Sequence, residues 1–128
     1  MGYLHQRAKG NIGENIAASY LIGRNFKVLD RNFRRKWGEI DIIAEKDNLI
    51  HFFEVKSVTV DFSNLSDSHK PEENVHNLKT RHIGKMVETY LAEFQTGLDR
   101  EFRFHVICVY MNMRNRRARV KLIENLVL

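Results

Sequence analysis

The sequence predicts a single α/β domain whose central mixed sheet of about five strands is flanked by helices, in the order α-β-β-β-α-β-β. Two segments have apolar residues at helical spacing, and the segments between and after them are rich in β-branched and aromatic residues. A chain of 128 residues with 43% hydrophobic residues can build one compact core but is too short for two ordinary domains. We therefore expect residues 1–128 to form one domain, with a mobile loop at residues 59–70.

The first helix is predicted from Gly10 to Gly23, where the glycine ends the helical pattern. Small and apolar residues are spaced to form one buried stripe, which consists of Gly13, Ala17, Tyr20 and Leu21. Glu14 borders this stripe. The helix is therefore expected to hold one carboxylate at the edge of the core.

Three strands are predicted next. Residues 26–34 alternate weakly and form a ragged first strand. Residues 39–44 and 49–56 are rich in β-formers and flank the polar turn 45–48. These two segments should form an antiparallel hairpin that is largely buried on both faces.

The second half begins with the polar segment 57–70, which predicts the mobile loop. Pro71 and the acids after it favour a helix start, and the helical pattern continues to about Phe94. Its predicted buried face consists of Val75, Leu78, His82, Met86, Tyr90 and Phe94. Two further strands are predicted at 102–111 and 118–123.

The composition limits the partners and the compartment. A formal charge of +5 and a pI near 9.5 favour a polyanionic partner such as nucleic acid. Cys108 is the single cysteine, so no intrachain disulfide can form and a reducing cytoplasm is expected. No signal-type apolar segment is present, and no stretch approaches the roughly 20 apolar residues that a membrane-spanning helix needs. We expect a cytoplasmic protein with no membrane partner.

Charged residues recur on two neighbouring strands of the predicted hairpin. Period-two alternation puts Glu39 and Asp41 on one face of their strand, and Glu54 and Lys56 on one face of the next. Burying such charges costs several kcal/mol per ion unless they are paired or bind a metal. The alternative of an exposed, salt-bridged strand face stays open, although the isoleucine and phenylalanine neighbours argue against it.

A hard divalent cation would explain these acids. Mg²⁺ prefers a few carboxylate oxygens plus waters, and Asp41, Glu54 and the Val55 carbonyl could supply them, with Glu14 reaching in from the first helix. Lys56 would stabilise charge that develops on a phosphate during hydrolysis. The candidate catalytic set is therefore Glu14, Asp41, Glu54 and Lys56. Glu39 is a secondary candidate, because it could pair with a nearby arginine instead.

Four segments in the first half of the chain occur in a fixed order: Gly10-x-x-Gly13-Glu14-x-x-Ala17-x-x-Tyr20-Leu21, Arg31-Asn32-Phe33-Arg34, Gly38-Glu39-Ile40-Asp41-Ile42-Ile43-Ala44 and Phe53-Glu54-Val55-Lys56. Together they resemble the YraN family of uncharacterised bacterial proteins. The similarity continues through Pro71, Lys79 and the late pair Arg103-Phe104. It departs at His105, where that family usually has an acid.

The YraN family is itself similar to Holliday-junction resolvases and other restriction-endonuclease-like nucleases of the PD-(D/E)xK type. The resemblance therefore implies a restriction-endonuclease-like domain and a Mg²⁺-dependent DNA endonuclease, with Mn²⁺ as a substitute metal. Its implied site is the same set of four residues. Branched DNA or repair intermediates are the implied substrates, and a homodimer is expected because similar resolvases act symmetrically on two strands.

Basic residues supply candidate phosphate contacts. They are Arg31, Arg34, Arg35 and Lys36 before the proposed site, Lys79 in the second helix, and Arg114, Arg116 and Arg117 in the last turn. Each group taken alone is equally well explained as a solvated turn. Together, beside a metal site, they favour nucleic acid.

Two alternatives to an enzyme stay open. One is a nucleic-acid-binding module that keeps the fold without catalysis, and the other is a structural protein whose charged quartet is a buried ion network. Serine-hydrolase, thiol, NTPase and structural zinc sites have little support, because their motifs and ligand spacings are absent from the sequence.

Overall fold

The computed structural model of the chain describes residues 2–60, 80–94 and 100–128. The described elements are, in order, α1 (Gly2–Gly23), β1 (Lys27–Arg35), β2 (Gly38–Lys46), β3 (Leu49–Thr59), α2 (Thr80–Glu93), β4 (Phe102–Asn112) and β5 (Arg117–Ile123). This order confirms the predicted α/β class. The first helix begins eight residues earlier than the predicted Gly10, at Gly2.

The five strands form one mixed sheet in the order β1-β2-β3-β4-β5. The pair β3 and β4 is parallel, and the other three neighbouring pairs are antiparallel. A parallel pair needs a long crossover connection, and α2 lies on the connection between β3 and β4. The turn between β2 and β3 is tight because Asp47 and Asn48 both have positive φ angles, of 52° and 64°.

The sheet is covered on both faces, which accounts for the long apolar runs in its strands. One core cluster joins α1 to the sheet and includes Ala17, Leu21, Ile42, Phe53 and Val109. The other joins α2 to the sheet and includes Met86, Tyr90, Phe52, Phe104 and Cys108. Strands buried on both faces need apolar residues at consecutive positions instead of alternating ones.

The buried stripe of α2 differs from the predicted one. His82 is exposed and Phe94 is 51% exposed, so the prediction that both lie on the buried face is wrong. The stripe consists instead of Ile83, Met86, Val87, Tyr90 and Leu91. Residues four apart drift by about 40° around a helix, so a run of i+4 steps leaves the face that an alternation of i+3 and i+4 steps keeps. The predicted positions Val75 and Leu78, and the start at Pro71, lie outside the described residues.

The predicted loop begins too early. β3 continues through Ser57 to Thr59, which pairs with Met111 of β4. The Val60 amide then donates to the Met111 carbonyl at 2.8 Å. Residues 57–60 therefore belong to the sheet or its hydrogen bonding, and residues 61–70 lie outside the described part. In the described ranges, no helix has the length and apolarity needed to cross a membrane.

Gly13 lets α1 approach β3 closely. A Cβ atom added at Gly13 would lie 2.6 Å from the Ser57 Cβ, which is fixed to the strand backbone. A Cβ added at Gly84 in α2 would meet nothing within 4 Å. Of these two glycines, therefore, only Gly13 is required for the close packing of a helix against the sheet, and Gly84 has space for a side chain.

Substituting these two glycines by alanine should have effects of opposite sign. Gly13→Ala should lower the free energy of unfolding by about 1–3 kcal/mol, because overpacking outweighs the gain in helix propensity. Gly84→Ala should raise it by up to about 1 kcal/mol, because only the propensity changes. Urea unfolding monitored by circular dichroism measures both. Equal effects of the two substitutions would contradict the close approach at Gly13.

Candidate metal centre

The candidate site lies where β2 and β3 separate. The ladder between them runs from the pair Lys46–Leu49 to the pair Ile42–Phe53. Beyond that pair, β2 stays bonded to β1, and β3 stays bonded to β4. The two strands thus form a fork, and Asp41 and Glu54 are the first residues inside it.

Side-chain alternation in β2 is interrupted at Asp41. Ile40 belongs to the α2 cluster and Ile42 to the α1 cluster, although residues two apart in a regular strand share a face. Across the ladder, Asn32 lies between the partners of these two isoleucines and has a φ angle of 55°. The period-two premise for Glu39 and Asp41 therefore does not hold at this point of the strand.

The carboxyl group of Asp41 lies against β3. Its Oδ2 accepts a hydrogen bond from the Val55 amide N–H at 2.7 Å, and the residue is only 8% exposed. Burial raises the pKa of Asp41 to about 8, with a further increase from the Glu54 charge, while the Val55 hydrogen bond acts in the opposite direction. The protonated form of Asp41 is therefore favoured at neutral pH.

Glu54 is coupled to Asp41. Burial raises the pKa of Glu54, while the positive charge of Lys56 and a side-chain hydrogen bond with Asp41 lower it. Two carboxyl groups in such a position share one proton, because both cannot ionise without repulsion. The structure thus brings Asp41, Glu54 and Lys56 together, as the sequence pattern predicts.

Glu14 is also buried but has a different partner. Its Oε1 lies 3.3 Å from Nη2 of Arg31, which also donates to the Asn15 Oδ1 at 2.7 Å. The Glu14 charge raises the pKa of both Asp41 and Glu54, so the three acids are electrostatically connected. The buried Nε of Arg31 has no hydrogen-bond partner in the described part of the chain.

Glu39 lies at the rim of the fork. It forms an ion pair with Arg34, as its alternative assignment predicts, while its charge raises the pKa of Asp41 and Glu54. Arg35 is paired with Glu93 of α2. Of the four basic residues predicted around β1 to contact phosphates, Arg31, Arg34 and Arg35 thus already face acids.

The second basic group is differently arranged. Arg114 and Arg116 lie in the turn between β4 and β5, Arg117 is the first residue of β5, and all three are exposed. The Asn112 Oδ1 accepts from the backbone N–H of Arg114 at 3.1 Å, which stabilises this turn. Lys36 is likewise exposed, and Lys79 lies outside the described residues.

The donor set suits a hard cation with few protein ligands. Among the described residues, no group of three or more His, Cys, Asp or Glu side chains is placed to hold a metal. Mg²⁺ is commonly bound through one or two carboxylates plus waters and substrate phosphates. Asp41 and Glu54, with the Val55 carbonyl, fit that requirement, whereas Glu14 is held by Arg31.

Two buried histidines form a second polar cluster that the scattered spacing of histidines did not predict. His51 Nδ1 lies 2.9 Å from His105 Nε2. The backbone N–H of Asn125 donates to His105 Nδ1 at 3.0 Å. His105 must therefore carry its proton on Nε2, from which it donates to His51 Nδ1. His51 Nε2 then faces the Lys46 carbonyl at 3.4 Å. Both rings are neutral in this chain of hydrogen bonds.

This cluster predicts a pH-dependent stability. Burial lowers the pKa of His105 to about 4, and burial also lowers the pKa of His51. The stabilisation is complete above the unfolded pKa of about 6.5 and is lost as the pH falls toward 4, which amounts to about 3 kcal/mol for His105. His105→Gln has no histidine at this position to titrate and should not show this loss. The difference in the free energy of unfolding between wild type and variant should therefore change by about 3 kcal/mol between pH 7 and pH 4.

Urea unfolding of both proteins across this pH range measures the difference. His82→Gln is the matched control, since His82 is exposed on α2. Parallel pH profiles of wild type and His105→Gln would contradict the neutral pair.

Comparison with known proteins connects the site to a family. The model of "Uncharacterised protein family UPF0102" matches residues 13–109. This range contains the four candidate catalytic residues.

Proteins named UPF0102 are similar over most of the chain. One from Campylobacter fetus subsp. fetus (strain 82-40) is 35% identical over 116 residues, which cover 88% of each chain. One from Caldicellulosiruptor saccharolyticus is 37% identical over 122 residues, which cover 95% of this chain and 98% of the relative. A relative from Clostridium botulinum (strain Loch Maree / Type A3) is 40% identical over 116 residues, which cover 91% of this chain and 90% of its own.

Proposed function

This chain belongs to the uncharacterised protein family UPF0102, and we propose that it is a metal-dependent nuclease that hydrolyses phosphodiester bonds in DNA. Mg²⁺ is its proposed metal and Mn²⁺ a substitute. The proposal rests on one observation, the coupled acids Asp41, which is buried, and Glu54, which is half-buried, inside the fork between β2 and β3. Branched DNA and repair intermediates are the proposed substrates, as the resemblance to resolvases implies.

The carboxyl pair is costly for the fold alone. Asp41 is buried and has a raised pKa, and the charges of Glu14 and Glu39 increase the repulsion. Structural ion networks normally place a cation against each buried anion. Glu14, Glu39 and Glu54 have Arg31, Arg34 and Lys56 beside them, whereas buried Asp41 faces the charge of Glu54 and is held by the Val55 N–H. A divalent cation would compensate this repulsion, which a buried ion network would not need.

Each residue has a definite chemical role in this proposal. Asp41 and Glu54 provide carboxylate oxygens, and the Val55 amide fixes the orientation of the Asp41 carboxyl group. Lys56 stabilises negative charge on the phosphate as it is attacked. A bound Mg²⁺ would supply Lewis acidity and an activated water. Glu14 assists from α1, where Arg31 positions it.

The DNA backbone would contact the exposed basic residues. Arg114, Arg116 and Arg117 lie in or directly after the turn between β4 and β5, and the net charge of +5 gives attraction at long range. Arg31, Arg34 and Arg35 contribute less in this arrangement, because each is paired with an acid.

The second candidate function is a DNA-binding module without catalysis. It is favoured by the ion pair that holds Glu14 on Arg31, and by the lack of a three-acid metal group in the described residues. In that case the basic turn would carry the activity, and the acids would have no effect on it.

A cleavage assay separates the two functions. Labelled single-stranded, duplex and four-way-junction DNA are incubated with the protein in Mg²⁺, Mn²⁺ or EDTA. The nuclease predicts cleavage in either metal, none in EDTA, and none with Glu54→Gln, while that variant still binds DNA. DNA binding without cleavage in any metal would support the module instead.

A further inference from the structure

We propose that an apolar pocket between α1 and the β4–β5 turn binds an unpaired nucleobase of the nucleic-acid substrate. The inference rests on the proposed function and specifies its substrate. The pocket has a volume of about 310 Å³. Its lining includes Ile12, Ile16, Met111, Met113, Arg116 and Arg117.

The walls of this pocket are apolar side chains that remain open to solvent. Ile12 is 39% exposed and Met113 is 44% exposed, while Met111 of the lining is buried. Methionine sulfur makes favourable contacts with aromatic rings, and its flexible side chain adapts to rings of different shape. Such walls suit a planar aromatic group without selecting one base sequence.

The rim carries positive charge. Arg116 and Arg117 line the pocket, and Arg114 is exposed in the same turn. Among the described lining residues, none is acidic. An aliphatic ligand would match only the walls, and an inorganic anion only the rim. A nucleotide matches both, because its base is aromatic and its phosphates are anionic.

Gly13 of α1 lies next to both Met111 of the pocket lining and β3, which carries Glu54 and Lys56. A Cβ at Gly13 would lie 2.6 Å from Ser57 Cβ and 3.8 Å from Met111 Sδ, and Ser57 follows Lys56. Ile12 and Glu14 flank Gly13 on α1, so the pocket and Glu14 are separated by about the width of the helix, 10–12 Å. About three nucleotides of one strand span that distance at a rise of about 3.4 Å each, so a base in the pocket and a phosphate at the fork can belong to one strand.

This arrangement predicts the class of substrate. A base inside a duplex is stacked and paired, so it cannot enter such a pocket without being extruded. Nucleic acids with an unpaired nucleotide near the cleaved phosphate, such as bulges and single-stranded branches, avoid that cost. The protein should therefore prefer them to perfectly paired DNA.

The preference is measured by fluorescence anisotropy in EDTA, which keeps the assay independent of cleavage. The probes are a labelled paired duplex and the same duplex with one unpaired nucleotide at its centre. Wild type should bind the second about fivefold to tenfold more tightly. Ile12→Ser and Met113→Ser should abolish this difference and leave binding of the paired duplex unchanged. Ile22→Ser, which alters another exposed isoleucine of α1, should keep the difference.

Three results would overturn the inference. If both pocket variants keep the wild-type preference, the pocket does not hold the base, and the proposed function is untouched. If no oligonucleotide binds at all, the proposed function fails as well. If a labelled acidic peptide with a central phenylalanine binds wild type, and Ile12→Ser weakens that binding alone, the pocket takes a protein partner.

Discussion

The Asp41→Asn protein is expected to be more stable than wild type by about 2–4 kcal/mol at pH 8 and to have no metal-dependent cleavage. Asparagine keeps an oxygen that can accept from the Val55 amide, but it removes the charge that burial and Glu54 disfavour. The same substitution removes a proposed metal ligand. Stability and activity should therefore move in opposite directions.

The pH dependence of this effect is determined by the raised pKa of Asp41. The folded pKa of about 8 lies above the unfolded value of 3.8, so the wild type loses stability as the pH rises through that range. The free energy of unfolding of Asp41→Asn should exceed that of wild type only slightly at pH 4 and by the largest amount above pH 8. Urea unfolding in EDTA measures it. If the two proteins differed in free energy of unfolding by the same amount at pH 4 and pH 8, or if the variant were less stable at pH 8, the raised pKa of Asp41 would be contradicted.

Replacing Lys56 by methionine should lower kcat/KM for DNA cleavage by about 10²–10³-fold. The methylene groups and the volume are largely kept, while the charge that faces the attacked phosphate is removed. The pKa of Glu54 should rise further, because Lys56 is the charge that lowers it. DNA affinity in EDTA should change little, since the exposed arginines carry most of the phosphate contact.

The control for this substitution is Lys27→Met, which removes an exposed lysine on β1. It should leave cleavage unchanged and reduce DNA affinity at most slightly. Equal losses of cleavage and binding in Lys56→Met would mean that Lys56 only attracts DNA. An unchanged rate would remove Lys56 from the proposed mechanism.

Much of the fold could be predicted from local patterns. The strands at 39–44 and 49–56 are confirmed within β2 and β3, because β-branched and aromatic runs on both sides of a polar turn leave few alternatives. The turn itself is shorter than the predicted 45–48 and consists of Asp47 and Asn48. The resemblance to the YraN family is also confirmed. The end of β3 and the buried stripe of α2 could not be predicted, because pairing with Met111 and packing on the sheet decide them.

The acids of the candidate site could be identified from the sequence, but the alternation of side chains used to place them does not hold throughout β2. Strict alternation would place Asp41 on a sheet face, but the chain departs from it beside Asn32. Asp41 meets Glu54 because the strands separate after Ile42 and Phe53. Sequence separation and residue type indicate which charges are unusual in a buried strand, but they do not show where two strands part.

The ion pair between Arg31 and Glu14 and the hydrogen bond between His51 and His105 could not be predicted from the sequence. Arg31 and Glu14 are 17 residues apart, and His51 and His105 are 54 apart, so no local spacing connects them. His105 stands where the family resemblance leads one to expect an acid. Its bonds to His51 and the Asn125 amide show a structural role for the histidine there.

The most direct test is calorimetric titration of Mn²⁺ and Mg²⁺ into wild type and Asp41→Asn at pH 7, in buffers with different ionisation enthalpies. Asp41 and Glu54 share one proton when no metal is bound, so binding at this pair should release about one proton per ion. Asp41→Asn should neither bind the metal nor release a proton. Absence of metal binding by wild type, or binding that Asp41→Asn leaves unchanged, would contradict the account.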